Sequence, residues 1–322
     1  MYEQLAKEII GGRRPGRQDD LRFLIEGDLP SLQRAADSVR KALCGSHFNL
    51  CSIINGRAGR CRENCKFCAQ SAHNHTGAQE YDLLNTETIL AECRRNEKNG
   101  VHRFSIVTAG RTLKGEAFDR AAEAYRAMHR ECPNIDLCAS HGLLTYEQFL
   151  ILRDAGVTTY HCNIETSRSF FPQICTTHSF DDKIRTIQAA QAAGLHVCSG
   201  GILGMGESWQ DRLDMALTLS ELGINSIPLN MLMPIAGTPL EGLPLLEEDE
   251  ILRIVAMFRL INPTAHIRLA AGRSLMRESG KEAFFSGANA TITGDMLTTS
   301  GNNTAQDREM LRSSGFDISP ER

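Results

Sequence analysis

From residue 46 onward, short β-branched or apolar segments alternate with longer amphipathic segments, and this alternation restricts the fold more than any other feature. Eight segments have strand character: 46–53, 102–108, 135–140, 158–165, 195–201, 226–232, 266–271 and 290–293. Eight parallel strands joined by right-handed helical crossovers close naturally into a barrel. The pattern therefore predicts an α/β fold, a (β/α)8 TIM-type barrel.

The segments between the predicted strands carry helix signals. TETILAECRRNEKNG and FDDKIRTIQAAQAAG, for example, have Thr or Asp near their starts and Gly at their ends. An open doubly wound sheet usually has fewer strands and an evident Gly-rich dinucleotide turn, so the barrel is favoured. Residues 1–45, which include the amphipathic SLQRAADSVRKAL, are predicted to form a helical lead-in to a barrel domain at 46–322.

The charge balance favours small-molecule partners over polymers or membranes. The chain has 39 acidic and 35 basic residues and a formal charge of -4, which offers no attraction to nucleic acid or to an anionic membrane. The N-terminus has no apolar export segment, and no stretch approaches the length of about 18 apolar residues that spans a bilayer. We expect a cytoplasmic protein with no membrane association.

Eleven cysteines in a chain without a secretion signal point to metal or redox chemistry. Three of them, Cys61, Cys65 and Cys68, have C-x3-C-x2-C spacing in a polar loop after the first predicted strand. Three thiolates on one loop can hold three corners of a four-iron cluster and leave the fourth iron open. The alternative is a zinc site in which His73 or His75 completes the tetrahedron.

This motif, with the aromatic Phe67 just before the last cysteine, resembles the radical S-adenosylmethionine (SAM) superfamily. The resemblance implies a 4Fe-4S cluster whose open iron binds the amino and carboxylate groups of SAM. It also implies that reductive cleavage of SAM yields a 5'-deoxyadenosyl radical, with the protein positioning the cofactor.

Further segments narrow the resemblance and extend it over most of the chain, from Cys51 to Thr299. They are NIETS, VCSGGILGMGES, IPLNMLMPIAGTPLE, IRLAAGR, SGANATITG and MLTTSG. Together they resemble the biotin synthase family. The resemblance implies that the chain inserts sulfur into dethiobiotin to form biotin, with sulfide supplied by an auxiliary iron-sulfur cluster inside the barrel.

The family holds its auxiliary cluster with cysteines on strands two, three and five and an arginine on strand seven. Cys138, Cys198 and Arg268 match the last three positions, whereas Ser105 occupies the strand-two position. Cys51 on strand one is the compensating thiol, so we predict an auxiliary site of Cys51, Cys138 and Cys198, with Arg268 as ligand or charge partner. Three thiolates suit a four-iron cluster that carries an extra sulfide; a modified 2Fe-2S cluster is the alternative.

The other cysteines are predicted to be packing residues. Cys162 is a rival auxiliary ligand, but strand alternation points it to the helices if its neighbour Asn163 faces the substrate. Four more fall on predicted helices or loops without partners at ligand spacing: Cys44, Cys93, Cys132 and Cys175.

The resemblance also assigns residues to SAM. Gly200 and Gly201 follow a strand and can let the backbone approach a nucleoside, or can simply form a tight turn. Glu165 matches the family acid that binds the SAM ribose. Lys183 matches the basic residue for the SAM carboxylate, with a solvated helix face as its alternative.

Five residues match positions that bind dethiobiotin. Asn163 and Asn230 correspond to amides that hydrogen-bond the ureido ring, and an amide supplies both a donor and an acceptor. Thr298, Thr299 and Arg57 are expected near the substrate carboxylate. The alternatives are a polar core role for the asparagines, helix capping for the threonines and solvent exposure for Arg57.

The family resemblance implies several partners: an electron donor such as flavodoxin or ferredoxin, iron-sulfur assembly proteins and a second copy of the chain in a homodimer. Two other functions stay open. One is a radical SAM enzyme of similar build, resembling methylornithine synthase or a hydrogenase maturase, which needs no sulfur donor. The other is a noncatalytic iron-sulfur carrier.

Overall fold

Nine short parallel strands form the centre of the computed structural model, which describes residues 1–294 and 303–319. The strands are β1 (Asn49–Arg57), β2 (Arg103–Thr108), β3 (Asp136–Ser140), β4 (Val157–His161), β5 (His196–Cys198), β6 (Gly201–Leu203), β7 (Ser226–Met231), β8 (His266–Leu269) and β9 (Ala290–Ile292). The α-helices are α1 (Tyr2–Ile10), α2 (Phe23–Glu26), α3 (Leu29–Cys44), α4 (Thr86–Lys98), α5 (Glu116–Glu131), α6 (Tyr146–Asp154), α7 (Phe171–Ile174), α8 (Phe180–Ala192), α9 (Trp209–Glu221), α10 (Glu248–Ile261), α11 (Lys281–Phe284) and α12 (Thr304–Ser313). Two 3-10 turns, Arg273–Leu275 and Arg277–Gly280, follow β8.

The strands close into a barrel. Their order is β5-β4-β3-β2-β1-β9-β8-β7-β6, and an additional pairing of β5 with β7 joins the two ends of the sheet. Every pairing between named strands is parallel, with a helical segment between most consecutive strands. Because β5 and β6 both pair with β7 and share one position, the barrel has eight strand positions. The predicted (β/α)8 barrel is confirmed.

The fifth predicted strand, 195–201, is in fact broken into β5 and β6, because the backbone there packs directly on other backbone. A Cβ on Gly200 would lie 1.9 Å from the carbonyl oxygen of Pro228, and one on Gly201 would lie 2.1 Å from that of Glu165. The N–H of Gly200 leaves the sheet and donates to Oδ1 of Asn163 at 3.1 Å. Glycine is therefore required at both positions by contacts within the protein.

Local capping explains where many of the barrel helices begin. Thr145, Ser179 and Ser208 each form a capping box at the start of α6, α8 and α9. Asn85 accepts the N–H of Thr88 at the start of α4. The polar residues between the strands thus mark helix starts, as the sequence pattern indicates.

The N-terminal helices pack against the barrel through α10. Ten of the fourteen residues of α10 are buried, since this helix lies between α3 and α9. Arg259 of α10 is fully buried and donates to the carbonyl oxygens of Gly287 at 2.7 Å and Pro263 at 2.9 Å. These bonds satisfy a guanidinium that otherwise costs free energy to bury.

Across residues 1–294 and 303–319, no helix is both long enough and apolar enough to cross a membrane.

The tight backbone contact at Gly201 generates a stability prediction. Gly201→Ala places a Cβ against the Glu165 carbonyl, and we expect the free energy of unfolding to fall by about 1–3 kcal/mol, the usual cost of overpacking. Urea denaturation of the cluster-free chain measures it. Gly242→Ala is the matched control, because nothing lies within 4 Å of its added Cβ; equal stability of the two variants would contradict the prediction.

Candidate active site

A cavity of about 350 Å³ extends from the inside of the barrel to the loops that follow its strands. Its walls contain side chains from the strands, such as Ile53 and Val107, and from loops beyond the strand ends, such as Met233. The predicted site residues among its lining are Phe67, Cys68, Asn163, Glu165, Lys183, Cys198, Asn230 and Arg268. Residues far apart in sequence thus meet where a parallel barrel concentrates its active-site groups.

The three motif cysteines lie in the loop between β1 and α4, and hydrogen bonds fix the shape of this loop. The N–H of Cys61 donates to the carbonyl of Gln70 at 3.1 Å. The side-chain amide of Asn74 donates to the carbonyls of Cys65 at 3.3 Å and Cys68 at 2.8 Å. The loop is therefore held in one conformation by its own backbone and one asparagine.

The spacing of the three sulfurs favours a cluster over a single ion. Thiolates around one tetrahedral zinc lie about 3.8 Å apart, given zinc–sulfur bonds of about 2.3 Å. Within the described part of the chain, Cys61, Cys65 and Cys68 are not a set whose ligand atoms all lie within 4.8 Å of one another, and neither His73 nor His75 belongs to one. At least one separation among the three sulfurs is therefore larger than one tetrahedral zinc ion allows, which argues against the zinc alternative for this motif.

A second segment braces the cysteine loop, and the sequence interpretation missed it. The chain between α7 and α8 lies over the loop: the N–H of Lys66 donates to the carbonyl of Ile174 at 2.9 Å. Oδ1 of Asn64 accepts the N–H of Thr176 at 2.9 Å. These contacts join residues more than 100 positions apart, so no local pattern reveals them.

The same segment brings Cys175 to the cysteine loop. Its sulfur lies 3.7 Å from that of Cys65 and 3.3 Å from Nδ1 of His178. The prediction that Cys175 has no partner at ligand spacing is therefore wrong. The reason is tertiary: the turn after α7 brings a thiol and an imidazole against a loop from the first βα unit.

Lys183 and Glu165 both line the cavity and lie close to each other. Nζ of Lys183 lies 3.9 Å from Oε1 of Glu165, and each side chain is about 15% exposed. The alternative of a solvated helix face for Lys183 is wrong, because α8 directs this residue to the cavity. Burial raises the pKa of Glu165 despite the nearby ammonium group.

The predicted auxiliary residues lie together inside the barrel. Cys51, Cys138, Cys198 and Arg268 come from β1, β3, β5 and β8, and each is at most 2% exposed. Burial raises the pKa of Cys51 and of Cys138, while the charge of Arg268 lowers that of Cys51. The thiols of Cys51 and Cys198 also influence the pKa of Cys138, so the four residues share one electrostatic environment.

Arg268 gives this site its charge. Its guanidinium donates to the carbonyl of Asn49 at 3.3 Å, to Oδ1 of Asn49 at 2.7 Å and to the carbonyl of Thr291 at 3.1 Å. All three acceptors are neutral, and a buried cation without a countercharge is costly. An anionic cluster bound to cysteine thiolates supplies the missing charge, so the donor set fits such a group.

Ser105 supports the same fit. It pairs in register with Cys138, so the two side chains share the inner face of the barrel. Its buried hydroxyl has no hydrogen-bond partner in the described regions of the chain. A buried polar atom of this kind indicates a missing neighbour.

Sequence reasoning also missed His161, at the end of β4. Burial opposes ionisation of Cys198, yet the His161 imidazole, Arg268 and the Ser226 hydroxyl lower the pKa of Cys198 to about 6. The Ser226 hydroxyl lies 3.3 Å from the Cys198 sulfur. His161 pairs in register with Cys198 across β4 and β5, so the two side chains share one face of the sheet, and no pattern within one strand shows this pairing.

The prediction for Cys162 is wrong. Cys162 and Asn163 both line the cavity, because β4 ends at His161 and the alternation of a strand no longer applies after that residue. Cys162 is 5% exposed and lies near Lys183, whose charge lowers its pKa against the effect of burial. Cys162 is therefore part of the cavity wall.

The two asparagines are fixed by backbone. Asn163 accepts from Gly200, as described above, and Asn230 donates to the carbonyl of Gly201 at 3.1 Å and accepts from Ala271 at 3.3 Å. These bonds orient both amides at the cavity wall. Neither glycine is among the described residues that line the cavity, and contacts within the protein account for both of them.

None of the three residues expected to bind the substrate carboxylate is among the described residues that line the cavity. Arg57 ends β1, where its carbonyl accepts the N–H of Ala109 at 2.9 Å, and it is not among the described cavity-lining residues. Thr298 and Thr299 lie outside the described residues.

Comparisons with known proteins agree with this site. Residues 57–219 match the radical SAM superfamily, and residues 228–317 match the biotin and thiamin synthesis associated domain. Biotin synthase of Clostridium beijerinckii is 61% identical over 316 residues, which is 98% of this chain and 100% of that protein. Biotin synthase of Alkaliphilus metalliredigens is also 61% identical, over 98% of this chain and 99% of its own length.

Solved structures share the architecture. Methylornithine synthase superposes with a TM-score of 0.83 over 99% of this chain and 97% of its own, at 21% identity. A maturase of the [FeFe]-hydrogenase superposes with a TM-score of 0.81 over 98% of this chain and 74% of its own, at 16% identity. These likenesses are in fold alone, whereas the sequence identity to the curated relatives extends over nearly the whole chain. The chain belongs to the biotin synthase family of radical SAM enzymes.

Proposed function

We propose that this chain converts dethiobiotin to biotin by radical sulfur insertion, with the cavity holding SAM and dethiobiotin between two iron-sulfur sites. One observation carries the proposal: a single cavity is lined by Cys68 of the loop motif, by Cys198 and Arg268 of the barrel interior, and by two oriented amides. A carrier that only transfers a cluster needs neither the second thiol set nor the amides.

The two clusters supply a carbon radical source and a sulfide. Cys61, Cys65 and Cys68 are proposed to hold the 4Fe-4S cluster that binds SAM. Phe67 forms part of the adjoining cavity wall. A closed, largely apolar barrel limits quenching of radicals by solvent, and no general acid or base is required for hydrogen-atom abstraction.

The auxiliary cluster is proposed to rest on Cys51, Cys138 and Cys198, with Arg268 as ligand or charge partner. A four-iron cluster with an extra sulfide is favoured, because three thiolates leave one iron free to carry a sulfide; a 2Fe-2S cluster is the alternative. The neutral acceptors of Arg268 support an anionic group here. The Ser105 hydroxyl has no hydrogen-bond partner among the described residues, which supports a bound group beside β2.

Substrate and SAM are proposed to bind along the wall between the two sites. Glu165 is assigned to the SAM ribose and Lys183 to the SAM carboxylate. Gly200 and Gly201 shape the backbone beside them. Asn230 projects from β7 into the cavity, which supports its assignment to the ureido ring.

The substrate carboxylate is assigned to one arginine and two threonines. Asn163 completes the ureido contacts, while Arg57, Thr298 and Thr299 are proposed to bind the carboxylate. A cation and two hydroxyls are suitable donors for this group.

Both proposed clusters require partner proteins in the cell. A low-potential donor such as flavodoxin or ferredoxin is proposed to reduce the first cluster, and iron-sulfur assembly proteins to rebuild the spent one. We propose a cytoplasmic homodimer in which residues 1–45 lead into a barrel domain at 46–322. No nucleic acid or membrane partner is included.

The decisive measurement is an anaerobic reaction of the reconstituted chain with dethiobiotin, SAM and reductant. We expect biotin and 5'-deoxyadenosine to form while protein-bound sulfide falls, because the sulfur comes from the auxiliary site. An iron content of about eight atoms per chain supports two four-iron clusters. Formation of 5'-deoxyadenosine without biotin favours a mutase-like reaction, and formation of neither favours the carrier.

Cys51→Ser tests the rearranged auxiliary site. We expect iron per chain to fall by about half, because one thiolate of a four-iron site is lost while the loop motif is untouched. Iron and sulfide analysis measures it. Cys93→Ser is the matched control, since Cys93 is also buried but lies on α4. Full iron in the Cys51 variant would overturn the assignment.

Lys183→Met tests the SAM assignment. A hydrogen bond to a charged group contributes about 1.5–3 kcal/mol, so we expect the Kd for SAM to rise at least about tenfold. Equilibrium dialysis against the cluster-loaded chain measures the Kd. Lys66→Met is the control, because Lys66 is an exposed lysine of the cysteine loop. An unchanged Kd in the Lys183 variant would refute the role.

A further inference from the structure

Cys65, Cys175 and His178 form a close ligand set, of which the proposed reaction uses only Cys65. Within residues 1–294 and 303–319, it is the one group of three Cys, His, Asp or Glu ligand atoms that all lie within 4.8 Å of one another. Cys175 is 4% exposed and His178 is 9% exposed, whereas Cys65 is half-buried. The set is therefore close, largely shielded from solvent and composed of soft ligands.

The distances match one tetrahedral ion. Zinc–sulfur bonds of about 2.3 Å and zinc–nitrogen bonds of about 2.0 Å place two sulfurs about 3.8 Å apart, and a sulfur and a nitrogen about 3.5 Å apart. The sulfurs of Cys65 and Cys175 are 3.7 Å apart. The Cys175 sulfur lies 3.3 Å from Nδ1 and 3.9 Å from Nε2 of His178. The separation of the two sulfurs and that of the Cys175 sulfur from Nε2 are therefore close to those of one tetrahedral site.

Glu63 is positioned to orient the His178 ring for metal binding. Its Oε2 lies 2.5 Å from Nδ1 of His178 and accepts the hydroxyl of Thr177 at 2.8 Å. A metal-bound histidine usually donates its other ring N–H to a carboxylate, which orients the ring and makes the bound nitrogen more basic. With Nδ1–H donated to Glu63, Nε2 is left to bind the ion.

We propose that, when the first cluster is absent, Cys65, Cys175 and His178 bind a single zinc ion that blocks loading of that cluster. This inference rests on the proposed role of Cys65 as a cluster ligand. Binding displaces the two thiol protons to solvent, leaves zinc in its divalent state and leaves the fourth position to water. Because the Cys65 sulfur cannot serve both sites, zinc and the cluster exclude each other.

The test is reconstitution of the cluster-free full chain with iron and sulfide, with and without one equivalent of zinc. The SAM-responsive electron paramagnetic resonance signal of the reduced 4Fe-4S cluster is followed. We expect zinc to slow loading at least about tenfold in the parent chain. Cys175→Ala removes a ligand and should weaken zinc binding at least about a hundredfold, so loading should become resistant to zinc. A misfolded variant would not load a SAM-responsive cluster in the presence of zinc, so misfolding cannot account for resistance.

Two further variants sharpen the result. Glu63→Gln should weaken zinc binding by about tenfold and give intermediate resistance, since it alters only the support of the histidine. Cys132→Ala should behave as the parent chain, because Cys132 is a buried thiol after α5, outside the set. Zinc per chain after gel filtration should be one lower in the Cys175 variant.

The outcomes separate this inference from the proposed function. Equal inhibition of the parent and Cys175→Ala chains, or no inhibition of either, overturns the inference while leaving the cluster assignment intact. A Cys175→Ala chain that fails to load a cluster without zinc also overturns it, because Cys175 then belongs to the cluster site. A Cys65→Ala chain that still loads a SAM-responsive cluster contradicts the proposed function itself.

Discussion

Closure of the parallel barrel is the constraint on which the rest of the structure depends. The pairing of Cys198 with Ser226 joins β5 to β7 and converts an open sheet into a ring. Once the ring is closed, alternate side chains of every strand must point into one enclosed space. Cys51, Cys138 and Arg268 meet there although they lie on separate βα units.

Around Arg268 the interior of this barrel is polar and charged, whereas the same space in an ordinary barrel is filled with branched apolar side chains. Arg268 is buried against neutral oxygens, and its charge lowers the pKa of the Cys51 and Cys198 thiols on β1 and β5. Burying a cation in this way destabilises a protein unless an anion offsets it. The electrostatics therefore favour an anionic ligand at this site, and the three cysteines are consistent with the auxiliary cluster that we propose.

The opposite end of the cavity depends on contacts between loops. The cysteine loop takes its shape from Asn74 and from the segment after α7, through hydrogen bonds to Asn64 and Lys66. This brace also places Cys175 and His178 beside Cys65. Cys65 of the cysteine loop therefore lies both in the C-x3-C-x2-C motif and in a close set with Cys175 and His178 from the segment after α7.

The sequence by itself determined the barrel, the loop motif and the family, because periodicity and short-range spacing are local properties of the chain. The family resemblance also implied that Cys138, Cys198 and Arg268 share one site, and the adjacency of strands one and two added Cys51 to it. Only the tertiary structure decided the break between β5 and β6, the inward position of Cys162 and the contact of Cys175 with Cys65. Each of these depends on where a strand ends or on how a loop lies over a distant one. Such packing is set by contacts between residues far apart in sequence, and no local pattern encodes it.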